Sequence, residues 1–227
     1  MAYVSLVEAL PVLLRPLHST FRRLERPHNF LLALTSLGML VGITRASISS
    51  GKTESVFAML CKPFNAGDVI FEVTSQVFFW SKAWEWFDTA LLVAKGKPVS
   101  WLHYTHHAST AVLTSLNMVP TANAVWSVVC ASNSFVHAWM YGYYAFPRFG
   151  LLRRTRVWLT RAQIVQHMLV LSSAAYVVYQ LRKGTECYNN TTPIYAGLGL
   201  YAMYLAFFSL FYRRVYGVKK PLPAKTA

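Results

Sequence analysis

Runs of apolar sequence long enough to cross a lipid bilayer recur along the chain, and they constrain its architecture before any other feature does. A hydrocarbon core about 30 Å thick is spanned by roughly 20 consecutive apolar residues in a helix. Such runs lie near Asn29 to Ala46, Val69 to Ala94, Pro98 to Met118, Thr121 to Phe146, Val157 to Leu181 and Pro193 to Tyr212. They predict an all-α, polytopic membrane helix bundle of six spans within residues 29–216. Residues 1–28 read as a separate N-terminal segment. Its apolar stretch is cut by Pro11, Arg15 and Pro16 and lacks the small-residue cleavage site that ends a signal peptide. It is expected to be an interfacial helix or a truncated span, and residues 217–227 a basic cytosolic tail.

Lys and Arg number 22 against 8 Asp and Glu. Such a balance points in a soluble domain to nucleic acid, but here the charges sort by side of the membrane. Arg15, Arg22, Arg23 and Arg26, then Lys95 and Lys97, then Arg148, Arg153, Arg154 and Arg156, then Arg213, Arg214, Lys219, Lys220 and Lys225 fall on one side. The opposite loops hold Lys52, Lys62, Arg182 and Lys183, partly balanced by Glu54, Asp68 and Glu186. Cations accumulate on the cytosolic side, so both termini are expected there and no nucleic-acid partner is implied. Asn189-Asn190-Thr191-Thr192 holds two overlapping glycosylation sequons in the last loop of the opposite side, which agrees. Cys61, Cys130 and Cys187 show neither metal-ligand spacing nor an even framework and are assigned no redox role.

Four polar motifs interrupt the apolar helices. They are Lys82-x-x-Glu85-x-x-Asp88-Thr89, His103-x-x-His106-His107, His137-x-x-Met140-Tyr141-x-Tyr143-Tyr144 and Thr160-x-x-Gln163-x-x-Gln166. An ionisable group in a membrane helix costs about 2.5 to 3.5 kcal/mol on insertion scales, so four such groups suggest a buried active site. The topology carries all four to the cytosolic half of the bundle. Helical spacing puts His103, His106 and His107 on one stripe and Asn133, His137, Met140, Tyr141 and Tyr144 on another. Lys82, Glu85 and Thr89 share a face with Asp88 at its side, so Lys82 and Glu85 can offset each other's burial. Thr160, Gln163 and His167 form a further face, with Gln166 at its margin.

Two chemistries use such a stripe of imidazoles. One is metal binding, for which histidines at this spacing suit zinc or iron. Membrane di-iron enzymes need more histidine than this chain's 7 supply, because His18 and His28 precede the first span and His167 stands alone. A single-metal histidine-box hydrolase remains as an alternative. The other is acyl transfer by a nucleophilic imidazole, which needs an orienting partner and a pocket closed to water. A non-enzymatic, transporter-like bundle would instead carry polar residues at the midplane with access from both sides, whereas polarity here is confined to one side.

Taken in order, KxxExxDT, HxxHH, HxxMYxYY and TxxQxxQ resemble the ELO-type fatty acid elongases, over about Asn29 to Tyr216. The resemblance implies a bundle whose six inner helices make a barrel around an acyl tunnel, with the family's peripheral first helix absent or shortened here. It implies an endoplasmic reticulum acyltransferase, a 3-oxoacyl-CoA synthase that condenses acyl-CoA with malonyl-CoA on the cytosolic side. His106 would be acylated, Asn133 and His137 would polarise the thioester and steady the enolate, and His103 and His107 would hold the box. Lys82, Glu85 and Asp88 would set tautomer and charge, while Tyr141, Tyr144, Thr160, Gln163 and Gln166 would line the site. Lys95, Lys97, Arg153 and Arg154 are candidates for the CoA phosphates. No bound cofactor or metal is implied. The redox steps of the cycle would fall to partner reductases and a dehydratase, and a homodimer is also consistent with the resemblance. The HxxHH sequence and Asn133-Ser-Phe-Val-His137 are closer to the branch acting on saturated and monounsaturated chains.

Overall fold

The apolar runs fold as helices whose ends are set by local hydrogen bonds. The computed structural model describes residues 18–117, 124–147 and 155–217. Among these are eight helices: α1 (His18–Ser49), α2 (Val56–Cys61), α3 (Val69–Trp84), α4 (Trp86–Ala94), α5 (Trp101–Asn117), α6 (Trp126–Ala145), α7 (Arg156–Arg182) and α8 (Thr191–Tyr216). The side chains of Ser55, Asp68 and Asn190 accept from the backbone N–H groups of Ala58, Phe71 and Thr192 and cap α2, α3 and α8. At the start of α5 the Ser100 hydroxyl accepts from the His103 N–H at 3.2 Å.

Two helices depart from the expected spans. The first is already helical at His18, well ahead of Asn29, and passes through Pro27 without ending. Proline removes one helical donor, and in the same turn the Asn29 amide donates to the Glu25 carbonyl at 2.8 Å. The expected span Val69 to Ala94 is interrupted at Glu85, where the Asp88 N–H bonds back to the Glu85 carbonyl rather than to residue 84. This tighter turn separates α3 from α4 in the middle of the polar motif.

By length and composition α1, α7 and α8 are apolar enough to cross a membrane, with mean hydropathy of 1.6, 1.3 and 1.7 in their best windows. The other expected spans fall short for identifiable reasons. The second is broken at Glu85, α5 has 17 residues, and α6 carries Ser127, Ser132, Asn133, Ser134 and His137. Neighbouring helices pack in a cyclic order, α1 on α6, α6 on α7, α7 on α8, α8 on α5, α5 on α3 and α3 back on α1. One core joins Leu113, Val125, Val128, Val170, Val177, Ile194 and Tyr204, and a second joins Met39, Ile43, Phe78, Trp126 and Cys130. The Thr74 side chain of α3 packs directly on α1 at Gly42, where an added Cβ would lie 2.2 Å from the Thr74 hydroxyl. Leu34, Leu37, Val41, Val165, Met168 and Leu210 are exposed, as a lipid-facing surface requires.

One expectation is overturned. Cys61 and Cys187 form a disulfide that ties the end of α2 to the segment before α8, and Cys130 alone is a free thiol among the described residues. Spacing gave no sign of it, because the partners are 126 residues apart. Asn189 joins the same knot: its amide donates to the Leu60 carbonyl at 2.8 Å, and its side-chain oxygen accepts from the Val125 N–H at 3.2 Å. Lys52 is fully buried beside this junction, over the Phe64 ring and bonded to the Lys62 carbonyl, and burial pushes its amine down to about 8. Closing so long a loop restricts the unfolded chain, so Cys187→Ser is expected to lower stability by about 2–4 kcal/mol. Thermal unfolding in detergent should show the same loss on adding reductant to the unmutated protein; no change with reductant would contradict the bond.

Candidate active site

The four motifs meet at one end of the bundle. From the α3–α4 turn, Lys82 Nζ donates to Glu85 Oε1 at 2.6 Å and to Asn133 Oδ1 at 2.9 Å, and His137 Nδ1 lies 3.2 Å from the same Glu85 oxygen. Lys82 and Glu85 are each only 3% exposed at the side chain. This four-residue network therefore compensates both charges and links the second expected span to α6. Asn133 accepts through its oxygen, which leaves its NH₂ group as a donor. His137 faces a carboxylate with Nδ1, which favours the proton there and leaves Nε2 as an acceptor.

Asp88 has a separate set of partners. His28 Nε2 lies 2.7 Å from its Oδ1, and the Tyr141 hydroxyl donates to its Oδ2 at 2.6 Å. Thr89 Oγ1 lies 2.9 Å from His103 Nε2, and the Trp86 indole donates to the His107 carbonyl at 3.1 Å. The second span thus holds α5 at two points. Within α5 the rings of His103 and His107 stack with centroids 4.2 Å apart. His106 turns instead to α8, where its ring lies 5.1 Å from that of Tyr204. Among the described residues no three His, Cys, Asp or Glu side chains converge as a metal-binding group.

A cavity of about 360 Å³ opens between these elements. His103, His106, His107, Asn133, His137, Tyr141, Tyr144, Thr160, Gln163 and Gln166 all line it, so the expected stripes of α5, α6 and α7 face one space. Gln163 also donates to the Met140 sulfur at 3.8 Å. Lys82, Glu85 and Asp88 do not line this cavity; they stand behind its wall. Asn133 and Lys82 border a second, narrower cavity of about 50 Å³, otherwise walled largely by apolar side chains including Leu113, Trp126, Val170, Ala174 and Ile194. Lys95 and Lys97 line a third, of about 340 Å³, on the other side of the His103–His107 stack, and Lys95 is bonded there to Glu25 at 2.5 Å. Arg153 and Arg154 lie outside the described residues.

Sequence reasoning placed His28 ahead of the first span and missed its bond to Asp88, since a contact across 60 residues leaves no local pattern. It missed Tyr204 and Phe208 because aromatic residues recur throughout α8. His167, read as standing alone, lines the main cavity.

The sequence model of the ELO: GNS1/SUR4 family matches residues 1–224. The chain belongs to this family. It is 28% identical to fatty acid elongase A of Dictyostelium discoideum over 201 residues, covering 85% of this chain and 73% of that protein. It is 28% identical over 211 residues to putative fatty acid elongase 1 of Schizosaccharomyces pombe, covering 88% and 63%. To human very long chain fatty acid elongase 3 it is 30% identical over 157 residues, covering 67% and 56%. Membership of this family and three helices long and apolar enough to cross a membrane make the chain a membrane protein of an elongase family.

The buried pair sets a measurable cost. Lys82→Met leaves the Glu85 carboxylate uncompensated in an apolar bundle and is expected to cost about 3–5 kcal/mol, whereas Lys82→Met with Glu85→Leu should recover much of that. Unfolding in detergent would measure both; a double variant no more stable than the single one would show that the pair does not act as a unit.

Proposed function

We propose that the protein condenses a long-chain acyl-CoA with malonyl-CoA to give a 3-oxoacyl-CoA two carbons longer, carbon dioxide and CoA. The observation that carries this reading is His106 in a polar cavity flanked by a prearranged donor and acceptor, Asn133 and His137. In the first half-reaction an imidazole nitrogen of His106 attacks the thioester carbonyl. The C–S bond breaks as the C–N bond forms, and CoA leaves as the thiol with the proton lost from the imidazole. The Asn133 NH₂, fixed by Lys82, is suited to donate to the oxyanion, a role that contributes a few kcal/mol elsewhere. In the second, malonyl-CoA loses carbon dioxide and its enolate carbon attacks the acyl carbon. The C–N bond breaks and the imidazole takes up a proton from water, the one proton that the overall condensation consumes. Glu85 holds His137 in the tautomer whose Nε2 can accept and return protons. His103 and His107, braced by Thr89 and Trp86, position His106.

The acyl chain would run from His106 past Asn133 into the narrow apolar cavity, within a barrel made by the six cyclically packed helices. The CoA moiety would stay at the polar end. Lys97 is a candidate for its phosphates, since Lys95 is engaged by Glu25. A cytosolic assignment of that end is supported by Arg22, Arg23, Arg213 and Arg214 under the positive-inside rule. The opposite end carries the disulfide, and disulfides persist in oxidising compartments such as the endoplasmic reticulum lumen. The reaction needs no bound cofactor or metal, and separate reductases and a dehydratase would complete the cycle.

Incubation with acyl-CoA alone is expected to release CoA and leave the protein heavier by one acyl group, seen by denaturing mass spectrometry, with His106→Ala losing both signals. CoA release only when malonyl-CoA is present would instead favour a ternary complex.

Product length should answer to bulk in the narrow cavity. Trp126, Ala174 and Ile194 line it, whereas Tyr176 and Tyr195 do not. Ala174→Phe is expected to shorten the longest product and Trp126→Ala to lengthen it, read by chromatography of the product series. An unchanged series in active variants would count against the tunnel.

A further inference from the structure

One histidine in the main cavity has no part in the motifs or in the chemistry above. His167 is 3% exposed and lines the same space as His106 and His137. Its ring packs against Tyr201, Tyr204 and Phe208 of α8, with centroids 5.8, 5.5 and 4.9 Å away. From α5, His106 packs against two of the same rings, Tyr204 at 5.1 Å and Phe208 at 6.4 Å. The two imidazoles therefore flank one aromatic pair at one depth of the bundle.

The Nδ1 atom of His167 is buried with no hydrogen-bond partner, the only side-chain nitrogen or oxygen in that state among the described residues. Leaving a buried polar atom unpaired costs about 1–3 kcal/mol, and an orphaned lone pair is better tolerated than an orphaned N–H. The proton therefore belongs on Nε2, the nitrogen left to meet whatever fills the cavity. A plain methylene chain filling the cavity beside His167 would bury that N–H without an acceptor. An oxygen on the chain would satisfy it.

We propose that His167 is a specificity-determining donor for acyl chains that carry a hydroxyl within their first few carbons, so that the preferred acyl substrate is a hydroxyacyl thioester. This rests on the condensing function and narrows its substrate class. The placement fits: His106 and His167 line one cavity and pack against the same two rings of α8, so a hydroxyl a few carbons from the acyl carbonyl can come near His167. The thioester oxygen has another candidate donor, Asn133, from α6. A site built to hydrogen-bond a substrate hydroxyl discriminates strongly against the analogue lacking it, because its own polar group is then left unpaired.

The test compares kcat/KM of the purified full chain for hexadecanoyl-CoA, 2-hydroxyhexadecanoyl-CoA and 3-hydroxyhexadecanoyl-CoA, each with malonyl-CoA. One hydroxylated substrate is expected to be favoured by at least about tenfold. His167→Phe keeps the aromatic packing and is expected to erase that preference while hexadecanoyl-CoA is still condensed. Thermal stabilisation by the same three thioesters without malonyl-CoA reads the pocket independently of turnover. Preferential stabilisation without condensation of any thioester would leave the inference standing and remove the condensing function. Condensation of hexadecanoyl-CoA with no preference in either readout would overturn the inference alone. Equal loss of all three activities in His167→Phe would overturn it too, by showing that the side chain serves the reaction common to all of them.

Discussion

A lysine and a glutamate held together inside an apolar bundle fix the geometry on which the site depends. Neither charge is tolerable there alone, and each recruits a residue of α6, Lys82 taking Asn133 and Glu85 taking His137. Those two contacts set the rotation of α6 and so decide which of its faces borders the cavity. The interruption between α3 and α4 falls at Glu85 itself. Asp88 and Thr89 follow in the first turns of α4, where they reach His28, Tyr141 and His103. A single motif thus ties the second expected span to α1, α5 and α6.

Much of this was legible because helical periodicity is a strong constraint. His103, His106 and His107 could share a face only at their observed spacing, and the α6 residues Asn133, His137 and Tyr141 likewise, so the cavity wall followed once both stretches were read as helices. Helix ends were less legible. The extension of α1 ahead of Asn29 depends on Pro27 being accommodated within the helix, which residue preference alone argues against. The interruption at Glu85 depends on partners from other helices.

Contacts between distant segments escaped the sequence for a different reason. The Cys61–Cys187 bond and the His28–Asp88 bond join residues whose neighbours in the chain carry no common pattern. With three cysteines, pairing could not be deduced by counting. His167 was visible as a polar residue on the inner face of α7, but its missing partner emerges only when every neighbour is in place.

The division of polarity along the bundle explains how four spans can carry polar motifs within a membrane bundle. Their polar residues would be costly against lipid, and cyclic packing turns them inward while α1, α7 and α8 present large apolar side chains outward. The interior then changes character along its length. Near His106 it is wide and lined by groups that can donate or accept. Beyond Asn133 it narrows to a space walled mainly by Leu113, Val170, Ala174 and Ile194. Asn133 borders both regions and is fixed by Lys82. Under the proposed condensation, the residue that would meet the thioester oxygen is also the one past which the hydrocarbon would thread, so chemistry and chain positioning would share a single anchor.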